Sequence, residues 1–184
     1  MQRIEALNPE TTTGKSKELF EGIQSKLGMV PNMMRTMGNS PAVLSGYLTF
    51  NDALAQSSLG GKLGELIALT VANANSCEYC NAAHSFIGEK LVGIAPTVIE
   101  AAKERRSSDI KTQAALTFAK TLVRKKGNVN DRDIDLLKEN GFTDGEVTEI
   151  IAHTSLNIFT NYFNNALSVV VDFPEVELVN QKSI

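Results

Sequence analysis

At 184 residues, with 42% hydrophobic and 21% charged content, the chain fits one domain that buries its own core without metal or disulfide support. A net charge of −3 with mixed signs offers nucleic acid no electrostatic footprint, so polyanions are not expected as partners. The opening "MQRIEALNPE" lacks the apolar core of a secretory leader, and no uncharged apolar run approaches the roughly 20 residues of a membrane helix, so a cytoplasmic protein without a membrane partner is expected.

Strand alternation is almost absent, and turn residues cut the chain into helix-length pieces. The predicted fold is all-α, a single-domain helical bundle over 1–184, with an N-terminal arm carrying a helix (1–40), a core (41–171) and a tail (172–184). The arm's helix lies around "KSKELFEGIQSKLG". An irregular "MVPNMMRTMGN" follows, whose methionines read as core or contact filler rather than a cofactor box. "TTTGKS" ends like a phosphate-binding loop, but Pro9 stands where that motif needs glycine and no strand precedes it, which excludes nucleotide binding there.

Ser40 as N-cap and Pro41 in the first turn open a helix to about residue 56. In the next helix, Leu63, Leu66, Ile67, Thr70, Val71 and Ala74 recur at helical spacing, while Ala68, Leu69 and Ala72 cover much of the other side. Such a helix is buried, and Glu65 stands at the entrance to its apolar stretch. Ser76 is the predicted N-cap of a helix from Cys77 to about Val92, and Pro96 begins a short one. Ser108 is the predicted cap of a long amphipathic helix closing on Lys125, Lys126 and Gly127. "DRDIDLLKENG" is shorter, and the capping box from Thr143 to Glu146 opens a last helix through about Val170.

"SCEYCNAAHS" holds both cysteines of the chain and one of its two histidines. On one helix, Cys77, Cys80 and His84 fall on a single face at spacings of three and four. The helix dipole acts most on Cys77 and the imidazole most on Cys80, and both effects favour thiolate. Because a base one turn beyond Cys80 can take its proton directly, Cys80 is the preferred nucleophile. Cys77 then suits the resolving role, condensing with a sulfenic acid on Cys80. Glu65 lies roughly 14 Å before its helix ends and His84 roughly 10 Å into the next, so a connection that folds the helices back brings the two level.

Competing readings remain at this point: a zinc site completed by His153 or Glu65, and a buried structural pair. The zinc reading is weakened because one helix face rarely supplies three tetrahedral ligands. His153, Asn157, Asn161 and Asn164 form a polar stripe on the last helix, suited to a pocket, an interface or a buried network.

With these residues in view, the chain resembles the alkylhydroperoxidase D-like family of the carboxymuconolactone decarboxylase superfamily, and its peroxidase-related branch in particular. The resemblance rests on "ELIALTVANANSCEYCNAAHS", where Glu65, Cys77, Cys80 and His84 match the family's Glu, Cys-x-x-Cys and His, and on "VPNMMRTMGNSP". It implies an all-helical homo-oligomer, dimer to hexamer, with no bound cofactor or metal. It also implies thiol-dependent reduction of organic hydroperoxides, with Cys80 as peroxidatic nucleophile, Cys77 as resolving thiol and His84 with Glu65 as proton relay. A reducing partner protein, of lipoyl or thioredoxin-like type, would supply an external dithiol. Tyr79 stands where the best-characterised relatives carry a second histidine and is an accessory candidate, by hydrogen bonding or by packing. The decarboxylase branch does not use the cysteine pair, so lactone decarboxylation is not expected. The alternatives are a general thiol-disulfide oxidoreductase acting on a protein or lipoyl partner, and a non-enzymatic zinc-binding or structural oligomer.

Overall fold

A computed structural model describes residues 1–179, and among these the regular structure is helical throughout. In chain order the helices are α1 (Gly14–Leu27), α2 (Asn32–Met37), α3 (Pro41–Leu54), α4 (Gly60–Ala74), α5 (Glu78–Lys90), α6 (Pro96–Lys103), α7 (Ile110–Lys125), α8 (Asp131–Glu139) and α9 (Asp144–Leu167).

Several boundaries follow from the caps read in the sequence. Ser40 Oγ accepts the Val43 N–H at 3.4 Å, with Pro41 in the first turn of α3. At the start of α9, Thr143 Oγ1 accepts the Glu146 N–H at 3.1 Å and Glu146 Oε2 accepts the Thr143 N–H at 2.7 Å, which completes the capping box.

Other boundaries move. Asp109, not Ser108, caps α7, its carboxylate accepting the Thr112 N–H at 2.7 Å. The segment expected to be irregular contains α2, because Met33, Met34 and Met37 bury on one side of that single turn and a half. α9 stops at Leu167 rather than near Val170, since Ser168 turns left-handed at φ 51° and lets the Val169 N–H return to the Asn164 carbonyl at 3.1 Å. That turn buries Val169.

α4 is the hub and packs against α5, α6, α7 and α9. Residues 66–73 are all buried, as an apolar helix with no polar face requires. One apolar cluster joins α4 to α6, α7, α8 and α9 through residues such as Leu69, Leu116, Phe118 and Ile150. The other gathers Phe20, Met37, Leu44, Cys77, Cys80 and Val169, so the cysteines belong to the core formed by α1, α2, α3 and α5. Ser16, the serine of the loop-like "GKS", spends its hydroxyl on the Gly38 carbonyl at 2.6 Å inside that core.

The segment expected to be a tail is tied down as far as it is described. Asp172 accepts the Asn32 N–H at 2.7 Å, the Asn81 amide donates to the Glu177 carbonyl at 3.0 Å, and the Val179 N–H donates to Asn73 Oδ1 at 3.1 Å. Its last positions, 180–184, lie outside the described residues. Among the described residues no helix is long and apolar enough to cross a membrane.

Candidate active site

The short connection between α4 and α5 builds the site. Ser76, the expected cap of α5, adopts a left-handed φ of 52° and hands that position to Cys77. The Cys77 N–H returns to the Ala72 carbonyl at 2.9 Å, closing the turn. α5 therefore doubles back along α4, and His84 Nδ1–H donates to Glu65 Oε2 at 2.8 Å. The level placement expected from helix rise is what the fold adopts.

Because Cys77 is the N-cap, its sulfur accepts the Cys80 N–H at 3.2 Å. A thiol in the capping position is held over the first turn, beside the side chain three residues on. Both cysteines are free thiols and both are buried. Their acidities diverge. A hydrogen bond from the Cys77 thiol to Cys80, together with burial, pushes the Cys77 thiol well up. Burial would also raise Cys80, but the Cys77 hydrogen bond, the His84 charge and the amides of Asn164 and Asn161 outweigh it and bring that thiol down to about 7.

Burial would likewise lower the His84 imidazole, yet the charge and hydrogen bond of Glu65, with Cys80 and Asn157 beside the ring, hold it above its ordinary value. The charged imidazole of His84 and the ionised thiol of Cys80 therefore favour one another, with the proton of the cysteine pair kept on Cys77.

These groups open onto a cavity of about 430 Å³. Its wall is mostly apolar, with Met33, Phe86 and Phe173 among the lining, and its polar lining includes Glu65, Cys80, His84 and His153. Cys80 reaches the wall and Cys77 does not. His153 lies against Gly64, where an added Cβ would sit 3.1 Å from the ring, and its Nε2 pairs with Ser57 Oγ at 3.1 Å. Burial lowers its basicity. Among the described residues no group of three His, Cys, Asp or Glu side chains is arranged to hold a metal ion.

The polar stripe on α9 resolves into separate duties. His153 and Asn157 line the cavity, Asn161 Oδ1 accepts from Asn75 at 2.9 Å, and Asn164 Nδ2 donates to Cys80 Sγ at 3.2 Å and to Met33 Sδ at 3.3 Å. Asn164 is thus a direct partner of the candidate nucleophile. Its spacing in the stripe is visible in the sequence, but nothing local ties it to a cysteine 84 positions away. Tyr79 does not bond a sulfur. Its hydroxyl donates to Asp172 at 2.8 Å and accepts the Met33 N–H at 3.1 Å, and its ring meets Phe173 edge to face at 5.8 Å. Tyr47, which also lines the cavity, carries no sequence signal beyond its place on the predicted helix.

Comparison with known proteins agrees with this geometry. Residues 41–90, which span the Ser40-capped helix, Glu65 and the Cys-Cys-His cluster, match the Carboxymuconolactone decarboxylase family. No curated protein matches the chain. Among solved structures, an uncharacterised peroxidase-related protein from Silicibacter sp. TM1040 is 26% identical over 90% of this chain and 91% of its own, at a TM-score of 0.79. The alkylhydroperoxidase AhpD core of an uncharacterised peroxidase-related protein from Ralstonia eutropha JMP134 is 24% identical over 93% and 92%, at 0.83. The debrominase Bmp8 is 22% identical over 92% and 91%, at 0.77. The last two share the fold.

Proposed function

Taking as premise that this chain is an alkylhydroperoxidase D-like member of the carboxymuconolactone decarboxylase superfamily, we propose that it is a thiol-dependent peroxidase. It reduces an organic hydroperoxide to its alcohol through a cycle of the Cys77, Cys80 pair. The observation that carries this reading is that Cys80, and not Cys77, faces the cavity with its thiol brought down to about 7.

In the first step the Cys80 thiolate attacks the terminal oxygen of the hydroperoxide. An S–O bond forms, the O–O bond breaks, sulfur loses two electrons and the alkoxide leaves. Cys77, kept protonated beside Cys80, then attacks the sulfenic sulfur, expelling water and forming a disulfide. His84 and Glu65 take up the proton that Cys80 releases, which balances the proton that the departing alkoxide gains. An external dithiol from a reducing partner restores both thiols.

The test is titration of reduced, metal-free protein with one equivalent of cumene hydroperoxide, followed by thiol count and intact mass. Loss of both thiols and of two hydrogens, much faster than a free-thiol control, is expected. Cys80→Ser should not turn over, whereas Cys77→Ser should turn over once and keep a sulfenic acid. Wild-type thiols that react no faster than the control would sink the reading.

A second reading comes from the cavity wall. Methionine and aromatic lining suits a flat, polarisable ligand, and a cysteine-to-alanine variant of the debrominase Bmp8 binds 2,3,4-tribromopyrrole. The same dithiol supplies the two electrons of a reductive dehalogenation, in which carbon gains hydrogen, bromide leaves and the disulfide forms. Bromide release from a bromopyrrole without hydroperoxide consumption would favour it.

A further inference from the structure

When a thiolate cleaves a hydroperoxide, the departing alkoxide is the conjugate base of an acid about as weak as water, with a pKa of roughly 16. A proton must meet it inside the cavity. Five titratable side chains that line the cavity could supply one besides Cys80 itself. Glu65 and His84 are engaged with each other at 2.8 Å and take up the proton that Cys80 gives to form its thiolate. His153 is committed through Nε2 to Ser57, and burial favours its neutral form. The Tyr79 hydroxyl is spent on Asp172 and on the Met33 N–H.

Tyr47 differs from these. It sits on α3, lines the cavity opposite no hydrogen-bond partner among the described residues, and packs against the apolar cluster that contains Cys80. Burial holds its phenol well above the ordinary range, and the neighbouring negative charges of Cys80 and Glu65 add to this. It therefore keeps its proton at the near-neutral pH where Cys80 ionises.

We propose that Tyr47 is the acid that protonates the alkoxide leaving group when Cys80 attacks a hydroperoxide in the cavity. This rests on the peroxidase reading. The proton balance closes: Cys80 gives its proton to the His84 and Glu65 relay, Tyr47 gives its own to the alkoxide, and the relay's proton restores Tyr47. The net change is thiol plus hydroperoxide to sulfenic acid plus alcohol. Tyr47 thereby divides the labour, with His84 serving the nucleophile and the phenol serving the leaving group.

Leaving-group chemistry separates this role from packing. Cys80 oxidation is followed in reduced wild type and in Tyr47→Phe, with tert-butyl hydroperoxide, which expels an alkoxide, and with peracetic acid, which expels a carboxylate that needs no proton. Iodoacetamide, which expels iodide, reports the thiolate alone. Tyr47→Phe should slow tert-butyl hydroperoxide by roughly a hundredfold, the lower end of general acid catalysis, and leave the other two reagents within about twofold. A uniform loss with all three reagents would make Tyr47 a packing residue, and an unchanged hydroperoxide rate would remove it from the chemistry. Both results overturn the proposal. Wild type that reacts with tert-butyl hydroperoxide no faster than a free thiol would instead defeat the peroxidase reading, and the Tyr47 assignment with it.

Discussion

The negative charge of Glu65 reaches Cys80 through His84. The carboxylate holds the imidazole above its ordinary pKa, and the resulting positive charge is one of the effects that bring Cys80 down to about 7. Neutralising the carboxylate should therefore act on a sulfur it does not bond. In Glu65→Gln the amide can still hydrogen-bond His84 but no longer favours its charge, so the Cys80 titration should move alkaline, toward the ordinary thiol range. Alkylation by iodoacetamide at pH 7 should slow by about tenfold, while the rates of variant and wild type converge near pH 9, where both thiols ionise. A rate profile that keeps its midpoint near 7 in the variant would show that Cys77 and the asparagine amides lower Cys80 without the relay. The pairing of Glu65 with His84 is legible in the sequence because helix rise is a fixed length and the connection is short. Asn164 is not, since its approach to Cys80 depends on how α9 crosses α5, which no local spacing encodes.

At the scale of elements, the C-terminal segment acts as a strap across α2 and α5, and Tyr79 is its anchor. The phenol joins three pieces at once, accepting from Met33 on α2 and donating to Asp172 on the strap, while Phe173 covers both Tyr79 and Phe86. Phenylalanine at position 79 keeps the ring and leaves a buried N–H and a carboxylate oxygen without their partner. The expected cost is about 1–3 kcal/mol of stability, the usual penalty for stranding buried hydrogen-bonding groups, measurable as a lower urea midpoint at unchanged slope. Because the hydroxyl touches neither sulfur, iodoacetamide reactivity of Cys80 at pH 7 should stay within about twofold of wild type. A large reactivity loss without a stability loss would return Tyr79 to the relay. The strap escapes sequence reading because a segment without helical periodicity looks free when its partners are backbone groups and amides elsewhere in the chain. α2 escapes for a related reason, as one and a half turns have little stability of their own and the buried methionines supply it. The cap of α5 shows the reverse error: Ser76 has the better side chain for the position, but the return of Cys77 to Ala72 sets the turn and gives the cap to a thiol.

For the whole molecule, the two titrations of the site pull stability in opposite directions as pH rises. His84 has a raised pKa in the fold, so its contribution is complete below its unfolded value and is lost as pH climbs through the folded one. Cys80 has a lowered pKa, from an ordinary 9.0 to about 7, so its contribution is absent below the folded value and complete above the unfolded one. Between those two values the unfolded chain binds more protons at this cysteine than the native one, and stability rises with pH on its account. Holding a buried thiol at about 7 instead of 9.0 is worth on the order of 2–3 kcal/mol. Urea unfolding of reduced protein at about pH 6, 7, 8 and 9 should therefore show wild type gaining on Cys80→Ser by that order across the interval, with the two closest at the acid end. Cys80 is also one of the groups that hold His84 above its ordinary value, so the difference between the curves reads the coupled titration of the thiol and the imidazole. Parallel curves for wild type and Cys80→Ser would mean that Cys80 is a thiol in the native protein even above neutrality, and the nucleophile would then have to be generated only after substrate enters the cavity.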